Sequence, residues 1–114
     1  KIAHEELQTW YNAADFIISG SHHEGSGIAV CEAMSCGCVP VLTDIISFRK
    51  MSGPGNCGWL YEPGNTASLL KILMQTWELD IEKERAKTLQ QFKTELSFEA
   101  IAKKIAQVIA TLKQ

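Results

Sequence analysis

The pattern of apolar and polar positions changes character along the chain. Residues His4 to Ala14 carry Leu7, Trp10 and Tyr11 on one stripe at helical spacing, which predicts a helix. Asp15 to Gly20 (Asp-Phe-Ile-Ile-Ser-Gly) is a short apolar run without alternation. That is the pattern of a strand buried on both faces of a parallel sheet. Gly20 to Gly27 is polar and glycine-rich, and reads as a loop. Ile28 to Cys36 returns to spacings of three and four through Ile28, Cys31, Glu32 and Ser35, with Gly37 placed to stop the helix. Val39 to Thr43 reads as a second buried strand, with Pro40 tolerable near its start. Gly58 to Tyr61 reads as a third. Strand, helix, strand in this rhythm is a βαβ unit.

The remainder reads as helices. Asn65 can cap one running to about Leu79, with Leu69, Leu70, Leu73 and Met74 inward. Asp80 can cap a second, rich in Glu and Lys, to about Leu96. Ser97 can cap a third, with Phe98, Ile101, Ile105, Val108, Ile109 and Leu112 on one face. The fold class expected is α/β: a Rossmann-like parallel sheet of about three strands with helices on both faces, plus carboxyl-terminal helices. Residues 1–114 form one domain, with a βαβ core over about 4–79 and a helical extension over about 80–114. Doubly wound sheets usually have about six strands. The reading is therefore a partial domain, whose first strand is an unpaired apolar edge inviting self-association.

A chain of 114 residues fits one domain. A net charge of -2 argues against a nucleic-acid-binding face. No apolar run approaches the roughly 18 residues of a membrane span, and nothing at Lys1 resembles a signal peptide, so a cytoplasmic location is expected. Cys31, Cys36, Cys38 and Cys57 are expected as reduced thiols, the first three in an Ala- and Val-rich stretch suited to small buried side chains. A zinc or redox protein is the competing reading. His22 and His23 are adjacent and lack a third ligand at suitable spacing, so no metal is expected. Trp10, Trp59 and Trp77 read as core or domain-contact residues.

The chemistry concentrates in Ser21-His-His-Glu-Gly-Ser-Gly-Ile-Ala-Val-Cys-Glu-Ala-Met34, which joins the carboxyl end of a strand to the start of a helix. Open α/β sheets bind ligands at that edge. Gly25 and Gly27 allow close backbone approach. The unpaired N–H groups of the first helical turn, Gly27 to Val30, suit an anion such as phosphate. Glu24 and Glu32 flank that turn, and carboxylates accept hydrogen bonds from hydroxyls. An amide cradle between two carboxylates suits a sugar phosphate or nucleotide sugar. Residues 1–65 hold few cations, and of these only Arg49 and Lys50 are candidates for a diphosphate.

This ordered set resembles the carboxyl-terminal, donor-binding domain of the group 1 glycosyltransferases of the GT-B fold. Glu24 and Glu32, with seven residues between them, resemble the E-x7-E motif of the retaining members. The flanks agree: Tyr11-Asn-Ala-Ala-Asp15 before the motif, Glu32-Ala-Met-Ser-Cys-Gly37 and Pro40-Val41 after it, and Gly58-Trp-Leu-Tyr-Glu-Pro-Gly64 further on. The resemblance implies that Glu24 contacts the donor sugar and is the catalytic residue. It implies that Gly25, Ser26, Gly27 and Ile28 bind sugar and diphosphate, and that Glu32 holds the ribose. His23 and Arg49 are further candidates. It implies transfer with retention from a nucleotide-diphosphate sugar, without metal or other cofactor. The acceptor would be a glycan or a lipid-linked glycan held by an amino-terminal domain, with peripheral membrane contact in the whole protein. The chain alone is expected to be inactive and to bind donor weakly. Ile45 to Lys50 departs from the family's commoner glycine-rich turn ending in Glu. A non-catalytic nucleotide-sugar-binding module and a sugar-nucleotide epimerase are the alternatives.

Overall fold

The computed structural model describes all residues, 1–114. Three parallel strands, β1 (Phe16–Ser19), β2 (Val39–Thr43) and β3 (Trp59–Tyr61), form one sheet in that order. A single 3-10 turn, His4–Glu6, leads into α1 (Leu7–Ala13). The crossover from β1 to β2 is α2 (Ile28–Ser35), and that from β2 to β3 is α3 (Ile46–Ser52). After β3 come α4 (Thr66–Gln75), α5 (Ile81–Gln91) and α6 (Phe98–Leu112), with a π-helical turn over Phe92–Leu96 before the last.

Strand alternation sorts the core into two layers. Ile17, Leu42 and Leu60 pack with Val30 and Met34 of α2, Phe48 and Met51 of α3, and Cys57. Phe16, Val41, Trp59 and Tyr61 pack on the opposite side with Leu69 and Ile72 of α4. Helices thus cover both faces, as the sequence predicts. The central strand β2 is buried along its whole length, which explains its continuous Val-Pro-Val-Leu-Thr run. By contrast β1 is an edge strand and only half-buried, with Ile18 47% exposed. The expectation that β1 is covered on both faces does not hold, because α4 sits over β3 and leaves this edge open.

The end signals act as read. Asn65 Oδ1 accepts from Ser68 N–H (2.9 Å), Asp80 Oδ1 from Lys83 N–H (3.2 Å), and Ser97 Oγ from Ala100 N–H (3.1 Å). Gly37 (φ +85°) ends α2: its N–H reaches Met34 O and the next N–H, on Cys38, reaches back to Ala33 O. The structure departs from the sequence reading in α4 and α3. The buried face of α4 is Ile72, flanked by Leu69 and Leu73, while Leu70 and Met74, each two residues from Ile72 and so about 160° around the helix from it, are exposed. Trp59 packs against the core, while Trp10 and Trp77 are exposed, which removes the core reading for those two. Finally, α3 was not foreseen. Its apolar anchors Phe48 and Met51 are buried, and it lacks a capping side chain. No helix is long and apolar enough to cross a membrane.

Candidate functional site

The carboxyl ends of the three strands share one edge of the sheet. The loop from Gly20 to Gly27 leaves β1 there and is tied down by hydroxyls. Thr43 Oγ1 donates to Ser21 O (2.5 Å), Tyr61 Oη to Ser19 O (3.0 Å), and Ser47 Oγ to Glu24 O (2.5 Å). Each hydroxyl comes from a different following element: β2 and α3 fix the loop that carries Glu24, and β3 fixes the end of β1 from which it leaves. Burial raises the pKa of the Tyr61 phenol, so it remains a donor to Ser19 at neutral pH.

The two candidate glycines differ. Gly27 precedes α2 in the left-handed region (φ +60°), and a Cβ there would come 2.8 Å from Met51 Sδ. It is buried against the core, so α3 packing, not ligand approach, requires glycine at this position. Around Gly25 a Cβ would meet nothing within 4 Å. No side chain caps the start of α2, where the first bond of the ladder runs from Cys31 N–H to Gly27 O. The N–H groups of its first turn are therefore not claimed by a capping side chain.

Glu24 and Glu32 open to different hollows. Glu24 lines one with His22, His23, Asp44, Ser47 and Arg49. Its volume of about 470 Å³ lies within the range of small-molecule sites. Glu32 lines a groove between α2 and the carboxyl-terminal helices, together with Ser26, Ile28, Cys31, Phe92 and Phe98. It also faces a hollow against Tyr11 of α1. Burial and the neighbouring Glu32 carboxylate push the Tyr11 phenol up. The spacing of Ile28, Cys31, Glu32 and Ser35 thus marks this open, groove-lining stripe. The core-facing stripe of α2 is Val30, Ala33 and Met34. The mouth of α2, at Ser26 to Ile28, lies between the two carboxylates in sequence, and Ser26 and Ile28 line the Glu32 groove.

Arg49, the candidate cation, is ion-paired to Asp44. The hydrogen bond from Arg49 lowers the Asp44 pKa, and the pairing raises that of Arg49. Asp44 was not singled out in the sequence, although its place one residue beyond a buried parallel strand is where such a residue could have been sought. All four cysteines are free thiols, and no three His, Cys, Asp or Glu side chains come together to hold a metal.

A family model described as glycosyl transferases group 1 matches residues 1–95. Two relatives are described as GDP-mannose:cellobiosyl-diphosphopolyprenol alpha-mannosyltransferase. The one from Komagataeibacter xylinus is 40% identical over 62 residues, 54% of this chain and 16% of that protein. The one from Xanthomonas oryzae is 41% identical over 54 residues, 47% of this chain and 14% of that protein. An O-antigen chain mannosyltransferase B from Escherichia coli is 29% identical over 82 residues, 72% of this chain and 21% of that protein. The matched stretch is thus a small part of each relative.

Proposed function

The chain belongs to the group 1 glycosyltransferases, and from that premise we propose that it is the donor-binding part of a retaining enzyme that uses a nucleotide-diphosphate sugar. The observation that carries the reading is the uncapped start of α2, with Glu24 in the hollow ahead of it and Glu32 in the groove along it. An elongated ligand laid over that helix end would put its diphosphate on the free N–H groups. Its sugar would reach Glu24 at one side and its ribose Glu32 at the other. The relatives named for GDP-mannose support a GDP-linked hexose as the first donor to try, and their polyprenol-linked acceptors support a lipid-linked glycan as acceptor.

The pairing of Arg49 with Asp44 supports a further part of the reading. That guanidinium is already shared with Asp44, and residues 1–65 hold only two other basic residues, Lys1 and Lys50, so the diphosphate has few cations near this loop to neutralise it. The 114-residue chain by itself then binds donor weakly and does not transfer sugar. Calorimetry of the chain with GDP-mannose and a UDP-linked hexose tests the reading, with Glu32→Ala as the comparison. Loss of the ribose hydrogen bonds is expected to cost about 1–3 kcal/mol. Absence of heat with every nucleotide sugar, or equal affinity in Glu32→Ala, would overturn it. Robust turnover by the isolated chain would overturn the claim that it is inactive.

A further inference from the structure

Asp44 shares the hollow with Glu24, and the reading above gives its carboxylate no contact with the ligand. It stands one residue beyond Thr43, the last residue of β2, while Glu24 stands on the loop that leaves β1. These strands are neighbours and parallel. Each therefore delivers a carboxylate to the same concavity, at the edge where open α/β sheets take ligands. The position of Asp44 is fixed on both sides. Its N–H donates to Tyr61 O (2.7 Å), and α3, which begins two residues later, is anchored to the Glu24 loop through Ser47.

The partner of Asp44 is Arg49, and the two side chains are 39% and 53% exposed. An ion pair this exposed does little for stability. It does hold the carboxylate ionised and turned in one direction. A carboxylate offers about four lone-pair sites, and the Arg49 Nε hydrogen bond occupies one of them. The others remain for hydroxyl donors. Glu24 supplies a second set of acceptors from the facing loop. Two acids with one cation between them suit a neutral polyhydroxylated ring and disfavour an anionic one.

We propose that Asp44 is a second sugar-binding carboxylate of this hollow, and that Arg49 is the positioning residue that aims it. The proposal rests on the reading of the Glu24 hollow as the sugar end of the donor site. It also gives Arg49 a duty other than neutralising the diphosphate. The stretch Ile45 to Lys50, which departs from the glycine-rich turn of the family, would then be the element that brings Arg49 back to Asp44.

The test compares two ligands that differ only by the sugar. Calorimetry of the chain would measure GDP and GDP-mannose, or UDP and a UDP-hexose if those bind instead. Asp44→Ala is expected to weaken the nucleotide sugar by about ten-fold and to leave the nucleoside diphosphate unchanged, since a hydrogen bond to a charged group is lost at one end only. Arg49→Met is expected to give part of the same selective loss. Asp44→Asn, which keeps the side-chain shape, guards against a folding defect and should fall between wild type and Asp44→Ala. Equal weakening of both ligands would mean a structural role and overturn the proposal, as would no weakening of either. If the unmutated chain binds neither ligand, the donor-site reading itself fails, an outcome visible before any Asp44 variant is made.

Discussion

Arg85 on α5 reaches Asp15, seventy residues earlier, with its guanidinium nitrogen 2.5 Å from the carboxylate. The same guanidinium also reaches Ala14 O (3.4 Å) and Gly37 O (3.5 Å), where the chain approaches β1 and leaves α2. One side chain thus pins the amino-terminal ends of β1 and β2 to α5, opposite the edge that carries the Glu24 loop. Asp15 is largely exposed, so the ion pair itself contributes little. Most of the cost of Arg85→Met should come from the carbonyls left without a partner, about 1–2 kcal/mol in all. Urea denaturation would check this, and an unchanged midpoint would show that water replaces the guanidinium without loss.

Gly58→Ala should be far more damaging. Gly58 has φ +65°, and a Cβ there would lie 1.8 Å from the carbonyl oxygen of Pro40. The neighbour is backbone of the central strand, which cannot move aside. A loss of more than about 3 kcal/mol is expected, well beyond a typical substitution. Soluble, cooperatively melting Gly58→Ala protein would contradict the close approach.

Gly25 and Gly27 should separate binding from folding. Gly25→Ala meets no atom within 4 Å, so stability should stay within about 0.5 kcal/mol. If nucleotide sugar crosses this loop, the added methyl should weaken its binding all the same. Gly27→Ala forces a non-glycine residue to φ +60° and presses on Met51, and should cost about 1–3 kcal/mol of stability. Undiminished binding by Gly25→Ala would argue that the ligand does not pass here.

Burial pushes the Cys57 thiol up to about 11 from 9.0, partly offset by a hydrogen bond from Thr88. Because the folded pKa lies above the unfolded one, the associated stability is whole below pH 9 and is lost as pH rises towards 11. The loss approaches roughly 2–3 kcal/mol, at 1.36 kcal/mol per pKa unit. Unfolding free energies measured between pH 8 and 11 should fall more steeply in wild type than in Cys57→Ala. Brief alkylation of native protein at pH 7 followed by mass mapping should leave Cys57 unmodified.

Much of the architecture was legible because it is written in local chemistry. Asn65, Asp80 and Ser97 each offer an acceptor three residues before an unpaired N–H, and Gly37 supplies the left-handed residue that closes α2. Packing direction was harder to read. In α2 apolar residues lie on nearly every side, so two stripes competed. Periodicity picked out the groove-lining one, while Val30, Ala33 and Met34 went to the core. Seven-residue α3 begins at β-branched Ile46, is preceded by another, Ile45, at the cap position, and has no capping side chain, so only the spacing of Phe48 and Met51 signals it. The candidate residues Glu24 and Glu32 stand out as a pattern in the sequence, but the directions of their side chains do not. A count of seven residues between Glu24 and Glu32 does not say that a left-handed Gly27 intervenes. Nor does it show that the two side chains face separate hollows.

That separation sets how a donor would hold on. A free monosaccharide could occupy the Glu24 side alone and a free nucleoside the Glu32 side alone, each feebly. In a donor that joins them through a diphosphate, the second half would arrive at an effective concentration fixed by a short tether, and the two weak grips would multiply. Selectivity for the intact donor over its halves would then come from the spacing between two modest footholds, not from the strength of either one.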